Sequence, residues 1–153
     1  MSLRKVYCHH YQTTKHKIYV LYYILKFCIS LIARALKHDL SKYRHDESKH
    51  FVGLKVLKNI TYGSNDYLQL LEQLKPATEL HYTRNPHHPE YHPNGINDMT
   101  LVDLVEMFFD WYASTKKHND GNMYRSININ SQRFNMSEQL CDIFRNSANY
   151  LIK

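Results

Sequence analysis

Residues 100–115 read TLVDLVEMFFDWYAST. Thr100 followed three residues later by Asp103 is a capping pair, so a helix is predicted to open at Leu101 and to run through the segment. At 3.6 residues per turn, Asp103, Glu106, Met107 and Asp110 share one face of it. Asp110 is set among Phe108, Phe109 and Trp111. An acid so placed is either a ligand or a buried carboxylate satisfied by a tyrosine hydroxyl or a backbone donor.

Helical signals also dominate outward from this segment. On the N-terminal side, a long helix is predicted over about 14–35, with Lys15, Lys17, Lys26 and Arg34 left to solvent or phosphate. A second runs from about Lys37 to Phe51 and places His38 and Lys42, four residues apart, on one side. Val52–Ile60 and Asp66–Lys75 follow, separated by the turn-like Tyr62-Gly63-Ser64-Asn65. Pro76 then suits the first turn of a further short helix reaching His81. NPHHPEYHPNGIN, residues 85–97, holds three of the four prolines and is expected to be an ordered loop. Beyond the central helix, Lys116–Gln132 reads as a polar stretch. A last helix is expected from Asn135, capped by Asn135 and Glu138, to Tyr150. No strand is expected, which makes the chain all-α.

The 153 residues suffice for one domain, 1–153, with a single substantial core. Hydrophobic residues at 43% and charged residues at 22% are ordinary for a globular chain, and four glycines leave few breaks for a many-stranded fold. The net charge of +6 suits anionic partners, and nucleotides, nucleic acid or a membrane surface all qualify. Cys8, Cys28 and Cys141 are odd in number and widely spaced, so neither a disulfide framework nor a zinc knuckle is expected, and a reducing, cytoplasmic setting follows. Ile18–Leu36 is apolar enough to suggest a membrane helix. Lys26 and Arg34 interrupt it, however, and the unbroken run Ile18–Leu25 is far shorter than the roughly 20 residues that span a bilayer, so a buried amphipathic helix and no membrane partner are expected. Thirteen tyrosines, several of them in residues 19–23, read as helix packing.

Eleven histidines are the other compositional signal, and their order relative to the acids carries it: His16, His38-Asp39, His81, His87-His88, Asp110. Neutral imidazoles and ionised carboxylates both offer lone pairs to a cation near neutral pH. In HDLSK, residues 38–42, the adjacent His-Asp pair can share one ion or bridge two, and Lys42 follows one turn later. Glu47 and Glu90 are candidate general acids or bases, although a solvated carboxylate is the commoner role. His9, His10, His45, His50, His92 and His118 read as surface residues.

HDLSK resembles the HD-x-G-K segment of the HD-domain metal-dependent phosphohydrolases, and HHPEYHPNG resembles the paired-histidine segment of their HD-GYP branch. Asp110 in DWYAS takes the place of that superfamily's terminal aspartate. The wider pattern, over roughly residues 14–140, also resembles a family of uncharacterised bacterial and phage proteins known only as a domain of unknown function. The resemblance implies an HD-like helical domain in which His16, His38, Asp39 and Asp110 hold a metal and His81, His87 and His88 add a second. One or two divalent ions are implied, from among Mn, Fe, Zn, Mg and Ni. It further implies that Lys42 contacts phosphate, that Asp39 or Asp110 accepts a proton, and that the substrate is a small phosphorylated, nucleotide-like molecule. Ser41 stands where HD-x-G-K has glycine, and no GYP tripeptide follows the paired histidines. Two other readings stay open: an HD-fold di-iron oxygenase, which shares the order H…HD…H…H…D, and a basic helical module that binds nucleic acid around a structural or degenerate metal site.

Overall fold

A computed structural model describes residues 3–51, 60 and 64–151. Among these residues the order is α1 (Leu3–Lys37), a 3-10 turn (Leu40–Tyr43), α2 (His45–Phe51), α3 (Asn65–Tyr82), 3-10 turns at Pro89–Tyr91 and Gly95–Asp98, α4 (Leu101–Thr115), α5 (Met123–Arg133) and α6 (Glu138–Leu151). No strand occurs among them, as the all-α reading expects. The expected helix over Val52–Ile60 lies outside the described residues except for Ile60. The chain divides into two units, Met1–His38 and Asp39–Lys153.

The first unit is α1, whose 35 residues make a rod about 50 Å long. It begins well before the expected residue 14 and carries its apolar side chains in the open. Ile18, Leu21, Leu25, Ile29, Ile32 and Leu36 are 53–76% exposed, which overturns the expectation of a buried helix. By length and composition alone, Lys5–Tyr43 could cross a membrane.

The expected continuous helix from Lys37 to Phe51 is broken. Asp39 adopts the left-handed conformation (φ 58°, ψ 14°), which cannot continue a right-handed ladder. Leu40–Tyr43 then tightens into a 3-10 turn, Arg44 is extended (φ −72°, ψ 141°), and α2 starts at His45. In α3 the error runs the other way, since Pro76 lies inside one helix instead of opening a second. Pro76 removes a single backbone donor, and the helix carries on past it through the buried Ala77 to His81. Ser64 caps its start by accepting from the Tyr67 N–H at 3.2 Å.

The apolar core of the second unit joins α4, α5 and α6. Met107, Phe108 and Trp111 from α4 meet Met123 and Ile127 from α5 and Phe144 and Ala148 from α6. Phe144 stands edge-on to both Phe108 and Trp111, with ring centroids 5.2 and 5.8 Å apart, which is the favourable quadrupolar arrangement. The capping box at Thr100 forms as expected: the Asp103 N–H reaches Thr100 Oγ1, and the Thr100 N–H reaches Asp103 Oδ2 at 2.9 Å. Helix α5 lies where a polar stretch was expected, because its buried face holds only Met123 and Ile127 with Ser126 and Asn130. Helix α6 starts at Glu138. Asn135 is left-handed (φ 48°) and does not cap it; Ser137 Oγ instead accepts from the Leu140 N–H at 3.3 Å.

Between α4 and α5 the chain turns back so closely that a Cβ on Gly121 would sit 1.8 Å from the Thr115 carbonyl oxygen. The obstacle is backbone and cannot rotate away. Gly121→Ala is therefore expected to destabilise the protein by about 1–3 kcal/mol or more, read as a lowered midpoint in urea with an unchanged slope.

Candidate metal centre

The second unit gathers five of the expected donors. Asp39, at the break after α1, contributes a carboxylate; His81 comes from the last turn of α3; His87 and His88 come from the loop after it; and Asp110 comes from α4. One ligand atom from each of Asp39, His81, His87 and His88 lies within 4.8 Å of the others. Ligand atoms of His87 and Asp110 also lie within 4.8 Å of each other. His81 Nε2 is 3.0 Å and His87 Nε2 is 3.6 Å from Asp39 Oδ1.

What directs the imidazoles inward is a set of partners behind them. Glu47, fully buried on α2, lies 3.2 Å through Oε2 from His81 Nδ1. The Ser41 hydroxyl donates to the same Glu47 oxygen at 2.9 Å and is 3.0 Å from His81 Nδ1. Asn85 Nδ2 lies within 3.0 Å of that nitrogen too, but its two N–H groups serve Ser41 Oγ at 2.8 Å and the His81 carbonyl at 2.7 Å. Nδ1 therefore keeps its own proton and donates it towards Glu47, which leaves the lone pair on Nε2. Among the described residues, Nε2 of His81 and Nε2 of His88 are both buried without a hydrogen-bond partner. Burying such an acceptor unsatisfied is costly, whereas a cation would satisfy both, so the donor set fits a metal ion.

His87 is oriented in the same way. Its Nδ1 faces Glu106 Oε1 at 3.2 Å, and both side chains are at least nine-tenths buried. Glu106 lies one turn before Asp110 on α4, so a single helix face supplies a carboxylate to the centre and another behind it. Arg84 completes the support, donating to Glu47 Oε1 at 3.0 Å and to Asp46 Oδ2 at 2.7 Å. The loop itself is fastened by His92 Nε2 on the Pro86 carbonyl at 2.9 Å and by Arg133 on Glu90 at 2.6 Å. His92 is thus a brace, and His118, also read as a surface residue, is buried with Nδ1 3.0 Å from the Ile60 carbonyl.

Other expected roles change. Because α1 is one continuous helix, His16 stands about 33 Å along its axis from His38, so the two cannot share an ion. His38 is the last residue of the first unit and the chain neighbour of Asp39. Lys42 does not align with His38 along an α-helix; its ammonium bonds Asp39 Oδ2 from within the 3-10 turn. Glu47 and Glu106 were not singled out as partners of the histidines. For Glu106 a signal existed, the four-residue spacing to Asp110. For Glu47 there was none, since the break at Asp39 decides which way α2 faces.

Burial pushes the Glu47 carboxyl up, but the hydrogen bonds from Ser41, Arg84 and His81 together outweigh it and hold it below its usual value. Burial pushes the His88 imidazole down to about 2, reinforced by His87 and His81 and opposed by Asp110 and Asp39. The unfolded chain therefore binds a proton at His88 below about pH 6.5 that the folded chain refuses. Glu47 acts lower, its contribution present above its unfolded value near 4.5 and lost as the pH falls through its lower folded value. Metal-free protein is expected to lose thermal stability from about pH 6.5 downward, with a further loss below about 4.5. His88→Gln should flatten the upper step and leave the lower; an unchanged upper step in scanning calorimetry would reassign it.

No curated protein and no solved structure matches the chain. A family model does match, across residues 5–150, and it covers α1 from Lys5 onward and every donor described above. The chain belongs to the family of unknown function DUF5662.

Proposed function

We propose that the protein is a metal-dependent phosphohydrolase of HD type, acting on a phosphate ester or diester of a nucleotide-like substrate. The observation that carries the reading is the convergence of Asp39, His81, His87 and His88, with Glu47 and Glu106 behind two of the imidazoles. Mixed imidazole and carboxylate donors favour Mn, Fe, Zn or Ni over Mg, which prefers oxygen alone. With Nδ1 turned to Glu106, His87 has one nitrogen for the centre, so a single ion is the simpler occupancy. Asp110 stands beside it as a fifth donor or as a base, and His38 rests on its sequence position next to Asp39.

A cation held there would supply Lewis acidity, making water nucleophilic near neutral pH and offsetting phosphoryl charge. Asp39 or Asp110 accepts the proton that the attacking water loses, and the carboxylates behind His81 and His87 keep their rings in place throughout. Lys42 has a double part in this reading. Its ammonium pairs with Asp39 Oδ2, and the partial exposure of its side chain supports a contact with a phosphoryl oxygen.

Elemental analysis of the purified protein, joined to a turnover screen of nucleotides and cyclic nucleotides, tests this. Asp39→Ala is expected to lose both metal and turnover, while Lys42→Ala keeps the metal and loses about 10- to 100-fold in turnover. If Asp39→Ala retains metal and full activity, the assignment is wrong. Bound iron with oxygen consumption in place of phosphate release would move the protein to the di-iron oxygenases.

Removing the support should act more gently than removing a ligand. Glu47→Gln and Glu106→Gln are each expected to weaken metal affinity about 10- to 100-fold, as measured by competition with a chelating dye. Equal affinity in both variants would show that the two carboxylates serve the fold alone.

A further inference from the structure

Helix α1 has an exposed apolar face that the metal centre does not explain. Ile18, Leu21, Leu25, Ile29, Ile32 and Leu36 recur at intervals of three and four residues and form one stripe along the rod, while the exposed Val20 and Ile24 fall on the opposite side. Lys15, Lys26 and Lys37 are spaced eleven residues apart, which is close to three turns, so they form a second line about a quarter turn round from the first. All three are exposed. Over its 35 residues the helix carries seven Lys and Arg and no Asp or Glu.

Three kinds of occupant would cover such a stripe, and charge separates them. A second copy of the helix would bring a cationic, acid-free surface against another, with no Glu to pair across the seam. A membrane-spanning placement would set Lys26 near the middle of the apolar window, where a lone ammonium is strongly disfavoured. A helix lying in the plane of an anionic bilayer meets neither difficulty. The stripe enters the acyl boundary, the lysine stems extend to the headgroups, and Tyr19 and Tyr23 lie beside them at interfacial depth. We propose that α1 is an in-plane membrane anchor for anionic bilayers, against the sequence reading that excluded a membrane partner.

Flotation of the full chain with vesicles tests the anchor. Vesicles of phosphatidylcholine containing about a third phosphatidylglycerol are expected to carry the protein, and pure phosphatidylcholine vesicles at least 10-fold less, since basic residues near an anionic surface drive the binding. Leu25→Glu with Ile29→Glu should cut flotation at least 10-fold. Both side chains are exposed, so the thermal melt by circular dichroism should stay in place and separate lost binding from lost folding. Lys15→Ala with Lys26→Ala and Lys37→Ala should remove the preference for anionic vesicles. Alkaline carbonate should release the bound protein. Failure to float on anionic vesicles, flotation unchanged by the two glutamates, or resistance to carbonate would each overturn the proposal, the last in favour of a spanning helix. A concentration-dependent oligomer in light scattering, with vesicles ignored, would assign the stripe to a second copy.

Discussion

A carboxylate enclosed as completely as that of Glu47 must be answered by donors, and the donors that answer it organise the centre. Ser41 comes from the 3-10 turn, Arg84 from just beyond α3, and His81 from the end of α3. Each bond ties a different segment to one buried charge, and the bond from His81 also decides which of its nitrogens carries the proton. The tautomer of a candidate ligand thus follows from the need to satisfy an acid on its far side. Glu106 repeats the arrangement behind His87, so two imidazoles are aimed by the same electrostatic requirement.

Helix α4 links this polar assembly to the apolar core. Met107, Phe108 and Trp111 fix the helix against α5 and α6, while Glu106 and Asp110 project from the adjoining face. The acids inherit their position from aromatic packing that is indifferent to charge. Small shifts in the Phe108–Phe144–Trp111 contacts would therefore reach the donor set through rigid helix, with no contact between core residues and ligands required.

The legible parts of the fold were those in which one local pattern decides the outcome. The Thr100–Asp103 box and the period of α4 were readable because caps and apolar spacing act within a few residues. His81, His87, His88, Asp39 and Asp110 were readable as candidate donors because few other roles call for so many imidazoles and acids in that order, and all five lie in groups of side chains that could hold an ion. The missed parts depend on context. Asp39 turns left-handed although nothing adjacent demands it, Pro76 continues a helix that tertiary packing holds, and α5 buries Ser126 and Asn130 where a period test looks for apolar residues. The grouping of His16 with His38 ignored the length of the intervening helix. Glu47 reaches its place only through the left-handed Asp39 and the 3-10 turn that follow α1, a consequence that spacing alone does not carry.

That left-handed residue also sets the protein at odds with itself. A left-handed conformation at a residue other than glycine costs about 1 kcal/mol, less for Asp than for bulkier side chains, and Gly would relieve it. Asp39 is at once the carboxylate nearest His81 Nε2 and the residue that adopts this strained backbone. Change that favoured thermostability alone would drift towards glycine here, firming the turn while dismantling the donor set. Retention of Asp at this position across a lineage would accordingly mark selection for its carboxylate over robustness, a trade-off concentrated in one side chain.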